Sequence, residues 1–364
     1  MRFSINQAEL RDALAVVSKG SSTRSTLSIL AGVYLRAEDS ELVLQATDLE
    51  LSIRLAVPAL VDEPGETVAP AKLLTDIVKT LPDQAVTVET TEAGMNVFCG
   101  STTFALKTLN PTDFPSFPET YADKEASFPF NTFSNMVKSV AKDVSKDETR
   151  AILTGVLISQ TGSELKMVAT DSYRLAVAST TLEHSIEGEF EAVVAGPFLS
   201  EIAALPSSSE LITIALSENQ VIVSYRGTTF INRRIEGTFP NYRQLIGGER
   251  TTRVELDVQS FVAAVRRVSL LSNKVSPIQV SVDAEAGVVT CMTSSQDVGN
   301  AQEALEGTVE GETVSIAFNH QFLLDGLASV KTDHVYVDLA GSMRPGILRS
   351  TEEDFLYLIM PVRV

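Results

Sequence analysis

Apolar residues recur at helical spacing in six stretches of the chain and alternate with polar ones between them. In 7–20 the apolar positions are Leu10, Ala13, Leu14 and Val17. In 131–146 they are Phe133, Met136, Val137 and Val140, and in 258–274 Phe261, Ala264, Val265 and Val268. An i, i+3, i+4, i+7 pattern is one buried stripe of an amphipathic helix. A second set of helical patterns covers 70–83, 195–208 and 318–333. Asn6, Asn131 and Asn319 are suitable N-caps, and Pro70 and Pro197 suit a first turn. Between the helices, runs such as Thr213-Ile214-Ala215-Leu216 and Val221-Ile222-Val223-Ser224 have the alternation and β-branching of strands.

These elements repeat. Three strand-like runs, 42–48, 165–171 and 288–294, end in similar corners. Their threonines, Thr47, Thr170 and Thr293, are 123 residues apart in both steps. Runs opening at Phe104, Phe230 and Phe355 keep nearly the same period and exit at Pro111, Pro240 and Pro361, and Leu81-Pro82 recurs as Leu205-Pro206. Chance similarity among half-buried strands is the alternative, but a period of about one third of the chain is what a triplicated unit leaves. Each third reads β-α-β-β-β-α-β-β-β. The chain is therefore expected to be α+β, with three similar domains at 1–122, 123–247 and 248–364. The joints fall in the proline-rich stretch 115–124 and at Gly247-Gly248-Glu249-Arg250.

Composition narrows the chemistry. The 364 residues hold only Cys99 and Cys291 and three histidines, which leaves neither a disulfide framework nor a multi-cysteine metal site. No run approaches the roughly 20 apolar residues of a membrane span, and the N-terminus has no apolar leader core. The expectation is a cytoplasmic protein with no membrane, metal or cofactor. Phosphate-binding glycine loops, dinucleotide turns and nucleophile elbows are absent. The best catalytic candidates are Asp48 and Asp171, each after a corner threonine. An aspartate there more simply builds an Asx turn, and the third copy carries Ser294 instead.

Charge adds a direction. The net charge is −18, yet the six helical spans together carry +3, leaving −21 for the rest. Lys138, Lys142 and Lys146, spaced four apart, would stack on one helix face, followed by Arg150. Arg266, Arg267 and Lys274 mark the third domain's helix, and Arg24 follows the first. A basic run is usually a solvated face. Basic helices on an acidic body also suit a protein that meets a polyanion on one side and repels it elsewhere.

The chain resembles the bacterial DNA polymerase III beta subunits, the sliding clamps. The resemblance spans essentially all residues and is carried by 24–30 (RSTLSIL), 168–176 (VATDSYRLA), Phe239-Pro240-Asn241-Tyr242, Leu271-Ser272-Asn273-Lys274 and the terminal 360–364 (MPVRV). It implies the DNA clamp fold: a head-to-tail ring homodimer, helices lining the hole and antiparallel sheets outside. It also implies no enzymatic activity. Such a ring encircles double-stranded DNA without reading sequence and tethers the replicative polymerase, a clamp loader and other proteins bearing a short peptide motif. The candidate DNA contacts are then Arg24, Lys138, Lys142, Lys146, Arg150, Arg266 and Arg267. The resemblance places a peptide pocket between the second and third domains at Leu153, Thr170, Ser172, Tyr173, Arg174, Leu175, Pro240, Leu245, Pro345, Leu358, Met360 and Val362. Arg174, or the backbone beside it, would fix the peptide's polar groups. Gln244 stands where some relatives carry a basic residue. In the ring, Lys72, Phe104 and Leu106 of one protomer would meet Leu270, Leu271 and the segment around Glu303 of the next. A three-domain interaction scaffold that never meets DNA, and a hydrolase using Asp48 or Asp171, are the competing readings.

Overall fold

The computed structural model of the chain describes residues 1–22, 25–183, 185, 189–271, 277–295 and 298–363. Arg24 and Lys274 lie outside them. The first-set helices are α1 (Gln7–Val17), α3 (Phe130–Val140) and α6 (Val258–Val268); the second-set ones are α2 (Ala71–Thr80), α4 (Gly196–Ala203) and α7 (His320–Leu327). A short α5 (Arg243–Ile246) joins the second and third modules. Each first-set helix has 11 residues and ends in a 3₁₀ turn of 3 residues, at 18–20, 141–143 and 269–271. The repeat therefore extends to how the helices stop.

The caps follow their chemistry. Asn6 Oδ1 accepts from the Ala8 N–H, Asn319 from Gln321 and Phe322, and Asp257 from Ser260. The middle copy departs from the expected Asn131 cap. Its helix begins at Phe130, directly after Pro129, so Asn131 lies inside the first turn and accepts from the Ser207 hydroxyl instead. All six helices are shorter than their apolar periodicity suggests: the first set passes into a 3₁₀ turn, and the second set stops in turns and irregular backbone. The strand count also differs. Among the described residues, five, four and five strands stand between the two helices of the successive modules rather than three. The unforeseen strands include Leu60–Glu63 and Thr308–Gly311, four residues each and largely exposed, too short and polar to show an alternation.

The chain forms two compact units. One comprises Met1–Pro129 with Ser209–Arg234, the other Phe130–Ser208 with Ile235–Val364. In the first, an eight-stranded sheet joins first-module strands to those of the middle module through pairing of Thr228–Arg233 with Leu51–Pro58. In the second, a nine-stranded sheet joins the middle and last modules through pairing of Arg174–Thr181 with Phe355–Ile359. The seams are equivalent: the strand that follows the Thr-Asp corner of one module pairs with the last strand of the next. A five-stranded sheet in the first unit ends at the open edge Thr102–Leu106, and a four-stranded sheet in the second ends at the open edge Gly299–Glu306. Apolar stripes of the helices fill the cores, with Leu10, Leu14 and Val17, then Phe133 and Val137, then Phe261 and Val265 all buried. Cys99 and Cys291 are buried and unpaired.

Candidate functional site

The seam of the second unit carries an apolar strip, the candidate groove, and strand register explains it. Residues paired across an antiparallel ladder point to the same face. One transverse row runs Thr170, Leu175, Leu358, Ile347, Asp338, Arg253 across six successive strands. The next row runs Val168, Val177, Leu356, Arg349, Tyr336. Both are apolar over the seam and turn polar one or two strands later. Phe239, Tyr242, Ile235 and Ile246, from the connection between the modules, pack onto the apolar part. Beside them Pro240 and Leu245 stay exposed, as does Met360, while Pro345 and Val362 are half-buried. The candidate groove thus has an apolar base, buried beneath the connection, and an exposed apolar rim. Leu153 is buried, and Tyr173 is 63% exposed.

The corner at the head of the groove is built by Thr170 and Asp171. Thr170 Oγ1 donates to the Arg174 carbonyl at 2.7 Å and accepts from the Ser172 N–H at 3.2 Å. Asp171 Oδ1 accepts from the N–H groups of Tyr173 and Arg174 at 2.9 and 3.0 Å. The first module repeats the corner. Thr47 Oγ1 accepts from Leu49, and Asp48 Oδ1 accepts from Glu50 and Leu51. The third residue of each corner is left-handed, at φ 79° for Leu49 and 81° for Ser172. Both aspartates are engaged as Asx-turn acceptors. The Tyr173 carbonyl accepts from the Met360 N–H at 2.9 Å, and the Ala317 carbonyl from the Val362 N–H at 2.8 Å, which pins the terminal segment along the rim.

Arg174 departs from expectation. Alternation sends it to the helix-bearing face, opposite Leu175. There its guanidinium meets Asp171 at 2.9 Å, Asp325 at 2.6 Å and Asp143 at 2.9 Å, reaches the Tyr357 hydroxyl at 3.3 Å and lies 4.6 Å above the Phe322 ring. Its backbone N–H and carbonyl serve the corner. The side chain holds the seam together and is not free to take a peptide's polar groups. Asp143 is fully buried, and among the described residues neither of its oxygens accepts an aligned hydrogen bond. Burial pushes its carboxyl up to about 7, against the pull of Arg174 and Lys142. Asp143, Asp325 and Tyr357 are functional neighbours that the sequence does not reveal, since they come from three distant elements. Gly326 on α7 permits the arrangement, because a Cβ there would collide with the Tyr357 ring.

The basic residues scatter more than the spacing suggests. Helix α3 ends at Val140, so Lys138 lies on the helix, Lys142 in the 3₁₀ turn and Lys146 beyond it; no single face carries all three. The Lys142 ammonium turns back onto the Asp325 carbonyl, and desolvation there lowers its pKa. Arg150 pairs with Asp147 at 3.2 Å and donates to the Ser172 hydroxyl at 2.9 Å, at the groove's corner. Arg267 bonds Glu303 through Nε at 2.9 Å and holds that carboxyl below its usual range. Lys138, Lys146 and Arg266 are exposed and form no ion pair among the described residues. Of the candidate interface residues, Lys72 is exposed on α2, Phe104 half-buried and Leu106 buried on the open edge 102–106, and Leu270 81% exposed after α6, beside the half-buried Leu271.

Repeated α+β modules, zipped into continuous sheets by strand pairing across their seams, define a clamp-type scaffold. Comparison with known proteins agrees. Family models described as the N-terminal, central and C-terminal domains of the DNA polymerase III beta subunit match residues 1–118, 127–241 and 243–363. A beta sliding clamp of Streptomyces coelicolor is 30% identical, and one of Staphylococcus epidermidis 31% identical, each over 100% of this chain and at least 99% of the relative. Solved sliding clamps of Bacillus subtilis and of Pseudomonas aeruginosa, the latter bound to griselimycin, each superpose with a TM-score of 0.95 at 28% identity. They cover 100% of this chain and 99% and 100% of theirs. The chain belongs to the DNA polymerase III beta subunit family, the beta sliding clamps.

Proposed function

We infer that the chain encircles duplex DNA as a head-to-tail homodimeric ring and tethers the replicative polymerase, conferring processivity without catalysis of its own. The observation that carries this is the full-length match of all three modules to the sliding-clamp family. The domain borders are proposed at 122/123 and 247/248. A topological link needs few contacts, so DNA is met through phosphate-directed charge without base readout. Arg24, Lys138, Lys146 and Arg266 are the proposed contacts, with Lys142, Arg150 and Arg267 subordinate because their side chains already have partners. The open edges 102–106 and 299–306 support a head-to-tail join, with Lys72, Phe104 and Leu106 facing Leu270, Leu271 and Glu303 of the next protomer. A bacterial clamp works in the cytoplasm, and no described helix is long and apolar enough to cross a membrane.

The seam groove is proposed to receive the peptide motif of the polymerase, the clamp loader and other partners. Two apolar anchors over Leu175, Leu358, Pro240 and Met360 would each contribute about 1.5–3 kcal/mol on burial. Less the ordering cost, that gives roughly micromolar binding, weak enough for partners to exchange. The decisive experiment is retention on DNA. Protein loaded onto a closed circular plasmid should stay bound through gel filtration and leave when the plasmid is cut once. Equal retention on both forms would sink the encircling mechanism.

A further inference from the structure

The transverse row that floors the groove does not stop at its apolar part. Beyond Ile347 it continues to Asp338 and Arg253, and the same face opens into a cavity of about 940 Å³ that shares Leu245, Pro345 and Ile347 with the groove. Arg250, Arg253, Arg344 and Arg349 line this cavity. Its acids are Glu249, Asp338 and Glu353. Asp338 is buried by the arginines. Arg253 grips it with Nε and Nη2 at 2.6 and 2.8 Å while stacking on Tyr336, and Arg349 Nε adds a bond at 2.9 Å. Burial would raise the Asp338 carboxyl, but these arginines hold it below the usual range. Arg250 stands 3.8 Å away with its side chain 47% exposed, beyond hydrogen-bond reach. Arg344 is exposed, and none of the ion pairs among the described residues involves it. One carboxylate thus organises three guanidinium groups and leaves donors uncommitted, on a chain whose net charge is −18.

We propose that this arginine-walled cleft is an extension of the peptide groove, and that it receives acidic side chains flanking the apolar anchors of a partner's motif. The proposal rests on the groove being a peptide site. A peptide along the transverse row sets its anchors over the seam and carries its next residues directly over Asp338 and Arg253. Arg250 and Arg344 then meet carboxylates as charge-assisted donors, while Arg253 and Arg349 stay with Asp338 and fix the wall. The rest of the acidic surface repels such a flank, so any gain in affinity is local to the cleft.

The test uses the intact protein and synthetic peptides with two apolar anchors, extended at one end or the other by three glutamates or three glutamines. At 50 mM salt the glutamate extension at one end should bind about five- to twenty-fold tighter than its glutamine twin, and the ratio should fall to about two by 500 mM salt. In Arg250→Ala/Arg344→Ala the ratio should fall to about one, with that variant's own glutamine peptide as reference. Equal binding of the twins at both ends, or a ratio that survives in the variant, overturns the extension while leaving the groove standing. If no anchor peptide binds the wild-type protein at all, the groove reading fails and the extension with it. Displacement of the glutamate peptide alone by duplex DNA would make the cleft a phosphate site and also overturn the proposal.

Discussion

Arg174 ties four elements to one guanidinium: the strand it begins, the 3₁₀ turn with Asp143, α7 with Asp325, and the strand with Tyr357. Replacing it with Met strands three acids under the seam. The expected loss is about 3–5 kcal/mol in urea unfolding, and a loss under 1 kcal/mol would show that the cluster is not cohesive. Asp143 gives the cluster a pH dependence. Its carboxyl titrates near 7 folded and near 3.8 unfolded. Between those values the folded chain holds a proton the unfolded chain has released, so this group's contribution is full at low pH and is lost as pH rises through 7. Asp143→Asn should flatten melting temperature against pH over 4.5–7.5; an unchanged slope would assign the titration elsewhere. Leu49 offers a simpler case. It is 59% exposed at φ 79°, where a side chain is strained, so Leu49→Gly should leave stability equal or raise it by up to about 1 kcal/mol. None of this is legible in sequence. A left-handed Leu carries no glycine signal, and a buried ion cluster drawn from four elements leaves no spacing to read.

Elements are more legible than their ends. Helix stripes, corner threonines and phenylalanine-led strands stand where periodicity puts them, because burial on one face imprints a period on the residues. Helix termini imprint none, which is why the spacing of Lys142 and Lys146 suggests a helix face that the chain does not build. The two seams differ in what packs on them. In the second, Phe239 and Tyr242 pack on the sheet and leave Pro240 and Leu245 as an exposed rim. In the first, Phe117 and Ala122 pack over Ala215, Ile222 and Ile231, with Arg54 lying 4.1 Å above the Phe117 ring. Linker side chains thus lie on both seams, but different ones on each. DNA binding belongs to this scale too. Lys138→Ala with Lys146→Ala and Arg266→Ala should lower the slope of log affinity against log salt by up to about 0.9 for each phosphate that is no longer neutralised, while Lys142→Ala should leave it unchanged. A steep slope in the triple variant would remove these residues from the interface.

At the scale of the molecule, assembly and partner binding should separate. Leu270→Ala with Leu271→Ala removes exposed and half-buried apolar groups next to α6, and it should sediment as a folded monomer; a stable dimer would relocate the interface. Deleting Met360 to Val364 removes the rim and two backbone bonds, and it should abolish peptide binding in calorimetry while the dimer persists. The division of the middle module between two sheets has a consequence for the nascent chain. The edge of Leu51–Pro58 is covered only by Thr228–Arg233, so the first sheet stays unfinished while roughly a hundred further residues are made. At bacterial or slower rates of synthesis that is about 5–20 s with Ile53 and Leu55, both buried at completion, beside an open edge. A ribosome stalled near Pro129 would therefore display a sticky half-sheet, and the first module would reach its finished state only after most of the second had been translated.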